Sequence, residues 1–222
     1  LGMALGKLYV EKYFTEASKK RMLELINNLQ KAFETRIDKL DWMSDSTKAK
    51  AKAKLFSIIK KIGYPDKWRD YGKVTIQKGI YFENLVACSR DEFHYQINKV
   101  GKPVDRAEWG ITPPTVDAYY NPTFNEIVFP AGILQAPIFN EDADDAMNYG
   151  GIGIVIGHEM THGFDDQGAQ YDKDGNLRNW WGKEDSDRFV AKSKAVVDQE
   201  IQFAVLDSLH INGALTTGEN IA

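Results

Sequence analysis

The chain has 222 residues, 43% of them hydrophobic and 27% charged, and a formal net charge of −4. This is ordinary globular composition, with enough apolar residues for a core, and without a basic patch it argues against nucleic acid as a partner. The single cysteine, Cys88, excludes an intrachain disulfide and a cysteine-based zinc site, and no apolar run approaches the ~20 residues a membrane helix needs.

Residues 1–6 lack both a starting Met and the basic and apolar regions of a signal peptide. From 15 to 40, Met22, Leu25, Ile26, Leu29, Phe33, Ile37 and Leu40 recur at spacings of three and four and predict a helix. A second helix is expected over 46–62, its lysines (Lys48, Lys50, Lys52, Lys54) forming a solvated face. Gly63-Tyr64-Pro65-Asp66 reads as a turn, and a third helix is expected over 81–100, with His94 on its surface or in its core. Six prolines between 101 and 140 exclude long helices. Two short strands, 116–120 and 126–129, are joined there by a turn at 121–125. A helix over 143–164 is apolar nearly all round and is expected to be buried. A polar loop at 168–181 contains Asp172-Lys173-Asp174-Gly175-Asn176, a turn rather than a calcium loop because the twelfth position is Lys183. A last long helix spans 183–209. The reading is mainly α with a small β element (α+β): a helical region over 1–100 leading into a second region over 101–222, which carries the motif described next.

The chemistry lies in Gly157-His158-Glu159-Met160-Thr161-His162-Gly163. On a helix, H-E-x-x-H sets two imidazoles one turn apart on one face, able to share a zinc ion, with the glutamate beside them as a base. A catalytic zinc has three protein ligands and one open position. The third must be His, Glu or Asp. His210 qualifies by type, and Glu219, just past a Gly turn, by context; Glu219 is equally readable as an acid favoured at a helix N-terminus. The outer ring nitrogens of the histidines need acceptors, and Asp166, four residues after His162, is a candidate, although it also reads as a plain loop acid.

The stretch 150–166 closely resembles the neprilysin family (M13) of zinc metallopeptidases. So do Ala118-Tyr119-Tyr120-Asn121-Pro122, residues 125–135, Gly218-Glu219-Asn220-Ile221-Ala222 and, nearer the start, Leu40-Asp41-Trp42-Met43 and Ile62-Gly63-Tyr64-Pro65-Asp66. The resemblance covers essentially the whole chain. It implies a gluzincin-type zinc peptidase catalytic domain, incomplete, with one Zn2+ held by His158, His162 and Glu219. It implies Glu159 as general base and then proton donor. Asp117-Ala118 matches the edge strand that grips the substrate backbone, where the family has Asn-Ala; an Asp carboxylate cannot donate a hydrogen bond as the amide does. Ile133, Ile138, Ile154 and Val155 match an apolar pocket for the side chain that follows the cut bond.

The function implied is zinc-dependent hydrolysis of oligopeptides on the amino side of apolar residues. The competing expectation is a peptide-binding or scaffold fragment that retains the zinc site without activity. Family members are longer, so the resemblance also implies partners within the same protein, a helical lid domain and a C-terminal part, on the same or separate chains. The lower cysteine content resembles a bacterial member, in the periplasm, the cell envelope or outside the cell.

Overall fold

The computed structural model describes residues 1–222. Eight helices and five short strands alternate along the chain. Helix α1 (Gly2–Tyr13) precedes the periodic segment and was not anticipated; it buries only Gly6 and Val10, too sparse a stripe to stand out. Helix α2 (Glu16–Asp38) starts where Thr15 accepts from the Ser18 amide and buries Met22, Leu25, Ile26 and Ile37, the stripe its spacing predicts. Helix α3 (Asp45–Phe56) starts on Ser44, which accepts from the Thr47 amide.

The helix expected over 46–62 is corrected here. It ends at Phe56, and Ile59–Gly63 form strand β1. This strand lies parallel to β3 (Glu126–Pro130), with Ile59 opposite Glu126 and Gly63 opposite Pro130. Strand β2 (Tyr119–Asn121) pairs antiparallel on the other side, giving the order β1-β3-β2. β3 is buried along its whole length, as a central strand covered on both faces must be. The parallel pair joins residues from both sides of position 100.

The lysine face is corrected too. Lys50 is exposed, but Lys54 is only 1% exposed. Its Nζ donates to the carbonyls of Gly168 and Tyr171, both at 2.7 Å. In β1, Lys61 is buried against the still more deeply buried Glu126 at 2.7 Å, and desolvation pushes the Glu126 carboxyl up despite that partner.

Helix α4 (Tyr81–Ile97) buries no residue and carries an exposed His94. The helix expected over 143–164 is two helices, α5 (Asp145–Gly150) and α6 (Ile152–His162), broken at Gly151. A Cβ on Gly151 would lie 2.4 Å from the Ile138 carbonyl, so the chain passes too close to its neighbour to continue the helix there. Nor is α6 buried all round: Ile152, Ile156 and Met160 are fully buried against the core that includes α2, whereas Ile154 is 68% exposed.

Beyond α6 the 168–181 loop packs its tryptophans, Trp181 stacking on Trp42 at 5.7 Å. The turn expected at 172–176 is present: the Asp172 carboxylate accepts from the amides of Asp174 and Asn176, and Gly175 has φ +83°. Helix α7 (Lys183–Glu200) stops nine residues before the expected end, because 204–210 fold back as the hairpin β4 (Ala204–Leu206) and β5 (Leu209–His210). The short helix α8 (Thr217–Ile221) touches both α6 and α7.

Candidate metal centre

Helix α6 presents His158 and His162 one turn apart, their ring planes at 86° and their Nε2 atoms 2.9 Å from each other. From α8, Glu219 brings Oε2 to 3.2 Å from His158 Nε2 and 3.7 Å from His162 Nε2. Two ligands bound tetrahedrally at ~2.05 Å are separated by about 3.3 Å. The three observed separations bracket that value, so one ion fits between two imidazoles and a carboxylate, the donor set of a catalytic zinc with one position left open. His210 lies elsewhere: it is exposed on β5 and pairs through Nδ1 with the Ile201 carbonyl at 2.9 Å.

The outer nitrogen of His162 finds an acceptor, but not the one expected. Nδ1 lies 2.7 Å from Asp165 Oδ2, and Asp165, not Asp166, makes the bond. Helical spacing stops applying at Gly163, where α6 ends, and the chain curls so that position +3 returns to the ring. Asp165 is 3% exposed, and its other oxygen accepts from the amides of Gln167 and Gly168 at 2.9 and 2.7 Å. Its hydrogen bond holds the His162 pKa above the usual value, against the opposing effect of burial. Asp166 accepts from Gln167 Nε2 instead. No sequence pattern singled out Asp165, although Asp165-Asp166 lies inside the matched stretch.

Glu159 is 6% exposed. Burial pushes its carboxyl up to about 7; His162 pulls it down, while Glu219 and Asp117 push it further up. A divalent cation between the histidines would draw it back toward the ionised form, because opposite charge favours the carboxylate.

An open cavity of about 500 Å³ lies over these groups. His158, Glu159, His162, Glu219, Asp166, Asp117 and Ala118 all line it. So does Tyr120, missed by the sequence reading, whose hydroxyl donates to Asn125 Oδ1 at 2.9 Å. Asp117 and Ala118 lead into β2, the outer strand of the sheet, and the Ala118 amide donates to the Asp117 side chain at 2.8 Å. The four apolar residues are not brought into this cavity. Ile133 is buried in the core, Ile138 and Val155 are partly buried against it, and Ile154 faces outward.

Two glycines hold the geometry. A Cβ on Gly218 would sit 3.0 Å from Asp165 Oδ2 and Asp166 Oδ1, so α8 rests directly on these carboxylates. A Cβ on Gly168 would lie 1.7 Å from the His162 carbonyl oxygen. Backbone faces backbone there and neither side can yield. Gly168→Ala is therefore expected to cost about 3 kcal/mol or more, read as a lowered melting temperature. A shift of less than about 2 °C would refute the close packing of this turn.

Two models described as peptidase family M13 match the chain, one over residues 1–65 and the other over 117–222. The chain is 43% identical to human endothelin-converting enzyme 1, covering all of this chain and 30% of that protein. It is 41% identical to Neprilysin-2 of Drosophila melanogaster, again over the whole chain and 30% of the relative. Among solved structures it resembles the Mycobacterium tuberculosis zinc metalloprotease ZMP1 in complex with inhibitor, with a TM-score of 0.91 and 48% identity, covering 100% of this chain and 34% of that one. PEPO from Lactobacillus rhamnosis gives a TM-score of 0.88 at 32% identity, over 98% of this chain and 35% of that one. The chain thus spans about a third of the length of these relatives, and its mainly helical architecture is theirs. With both models drawn from one family and together matching 171 of the 222 residues, the chain belongs to peptidase family M13.

Proposed function

We propose that the protein carrying this chain is a zinc-dependent endopeptidase acting on oligopeptides, with His158, His162 and Glu219 as the metal ligands. The observation that carries this reading is the convergence of two imidazole nitrogens and a carboxylate oxygen, all within 4.8 Å of one another, beside a buried glutamate in an open cavity. Zinc bound there supplies Lewis acidity toward a peptide carbonyl and makes water a nucleophile at neutral pH.

The residues of this chain do the rest. Asp165 holds His162 in the tautomer that turns Nε2 toward the ion. The Glu159 carboxylate takes the proton of the attacking water and hands it to the leaving amine. The outer edge of β2 has no strand beside it, so an extended peptide can add there by backbone hydrogen bonding, with Asp117 and Ala118 at its entrance. With Asp at 117, recognition of a substrate amide N–H is favoured over that of a carbonyl, since a carboxylate only accepts.

Cleavage on the amino side of apolar residues rests on the family resemblance at Ile133, Ile138, Ile154 and Val155. Exposed Ile154 on α6 is the one of these that a substrate side chain or a further protein segment can reach without repacking the core. The remaining segments of the longer protein are proposed as the partners that complete the cavity. No helix here is long and apolar enough to cross a membrane; an extracytoplasmic bacterial location is proposed from the family resemblance.

The test is chelation of the full-length protein. Removing metal is expected to abolish cleavage of a quenched peptide with Leu or Phe after the scissile bond, and added zinc to restore it. Replacing that residue by Asp is expected to slow cleavage by about 10–100-fold. A chelated sample, verified free of metal, that still cleaves at the full rate would end the zinc reading.

A further inference from the structure

Lys54 lies buried beneath the loop that follows α6, and neither the H-E-x-x-H chemistry nor the core explains it. It is 1% exposed on α3. Burying an ammonium costs several kcal/mol even after relaxation, and a methionine would fill the same space without that penalty. The rings of Tyr120, Phe164 and Trp180 surround its Nζ at 5.7–5.9 Å. No carboxylate touches it. Its two hydrogen bonds go to the carbonyls of Gly168 and Tyr171, in the loop that follows α6.

That loop is the one that holds Asp165. Gly168 accepts from Lys54 at its carbonyl, in the peptide it shares with Ala169. Its own N–H donates to Asp165 Oδ1 at 2.7 Å, and Asp165 Oδ2 meets His162 Nδ1 at 2.7 Å. The carbonyl and the amide lie in adjacent planar peptides of one residue, so pinning the Gly168 carbonyl restrains the amide that holds Asp165. Desolvation lowers the Lys54 pKa to about 8, opposed by the nearby Asp165 and Asp172, so the lysine keeps its proton at neutral pH.

We propose that Lys54 is a positioning residue of the metal centre: through the Gly168 backbone and Asp165 it fixes the His162 ring that faces the ion. This rests on the zinc reading given above.

The experiment measures zinc affinity of the full-length protein by competition with a chromophoric chelator, alongside thermal melting. Lys54→Met is expected to weaken zinc binding by about 10-fold, within the range for groups that support a metal ligand. In an Asp165→Asn background the same change is expected to cost less than about 3-fold, because the route to His162 is already cut. A Lys54→Met protein that melts earlier but binds zinc within about 2-fold of the parent overturns the proposal, and so do factors that simply multiply in the double variant. A parent that takes up no zinc fails the metal reading itself, which is a separate result. Should Lys54→Met not fold, hydrogen exchange in the unaltered protein decides the matter. The Gln167 and Gly168 amides are expected to exchange at least about 10-fold more slowly with zinc than without it; exchange indifferent to zinc overturns the coupling.

Discussion

Glu159→Gln in the full-length protein is expected to lower peptide turnover by roughly 10²–10⁴-fold, the usual contribution of a positioned acid–base group, while leaving zinc bound. The substitution keeps the shape of a side chain that is 6% exposed, so the fold has no reason to change. It removes a buried carboxylate beside the histidine pair that can accept a proton from water without itself being a ligand. The ionisation of Glu159 is set mainly by burial, and an amide in the same place neither titrates nor transfers a proton. Metal content by elemental analysis and kcat/KM on a quenched peptide separate the two roles. Turnover within about 10-fold of the parent would show that another group acts as the base.

The second large effect is expected at Glu219. Glu219→Gln should weaken zinc binding by more than about 100-fold, beyond the loss typical of a group that only supports a ligand. The carboxylate leaves the ion with a net single positive charge; the amide leaves it with two and offers a poorer donor. The position of Glu219 does not depend on its own burial, since its side chain is 70% exposed. It is set by the turn before it, where Thr217 is buried and its hydroxyl donates to the Gly213 carbonyl at 2.6 Å, and by Gly218 resting on Asp165 and Asp166. The carboxylate is thus held from behind and solvated in front. Competition titration is the measurement, and affinity within about 3-fold of the parent would remove Glu219 from the ligand set.

What could be read from sequence follows the reach of local rules. His158 and His162 were legible because helix geometry alone sets them side by side. Asp165 was not, because it lies past the last helical residue, where spacing no longer predicts direction. The buried stripe of α2 was visible in its period. β1 was hidden by Lys60 and Lys61, which look like a continuation of the charged helix face; only pairing with β3, far along the chain, makes a strand of them. The same long-range packing buried Lys54, which no composition rule marks as internal. At Gly151 the break arises from the approach of the Ile138 carbonyl, a contact absent from any window on the sequence. Glu219 needed the family resemblance, since nothing local aims a first-turn acid at a neighbouring helix.

Parallel strands cannot be zipped up from a tight hairpin, so β1 has to wait for β3 across residues 64–125. Closing so wide a loop costs chain entropy before any ladder bond forms, which makes this step a slow one on the way to the native state. During synthesis the first helices emerge well ahead of the strand that locks them down, and over that interval Ile58 and Ile62, buried in the finished fold, are open to the wrong neighbours. A cell making this chain has most reason to guard it just then, before residue 130 has appeared and while β1 is still an unpaired edge.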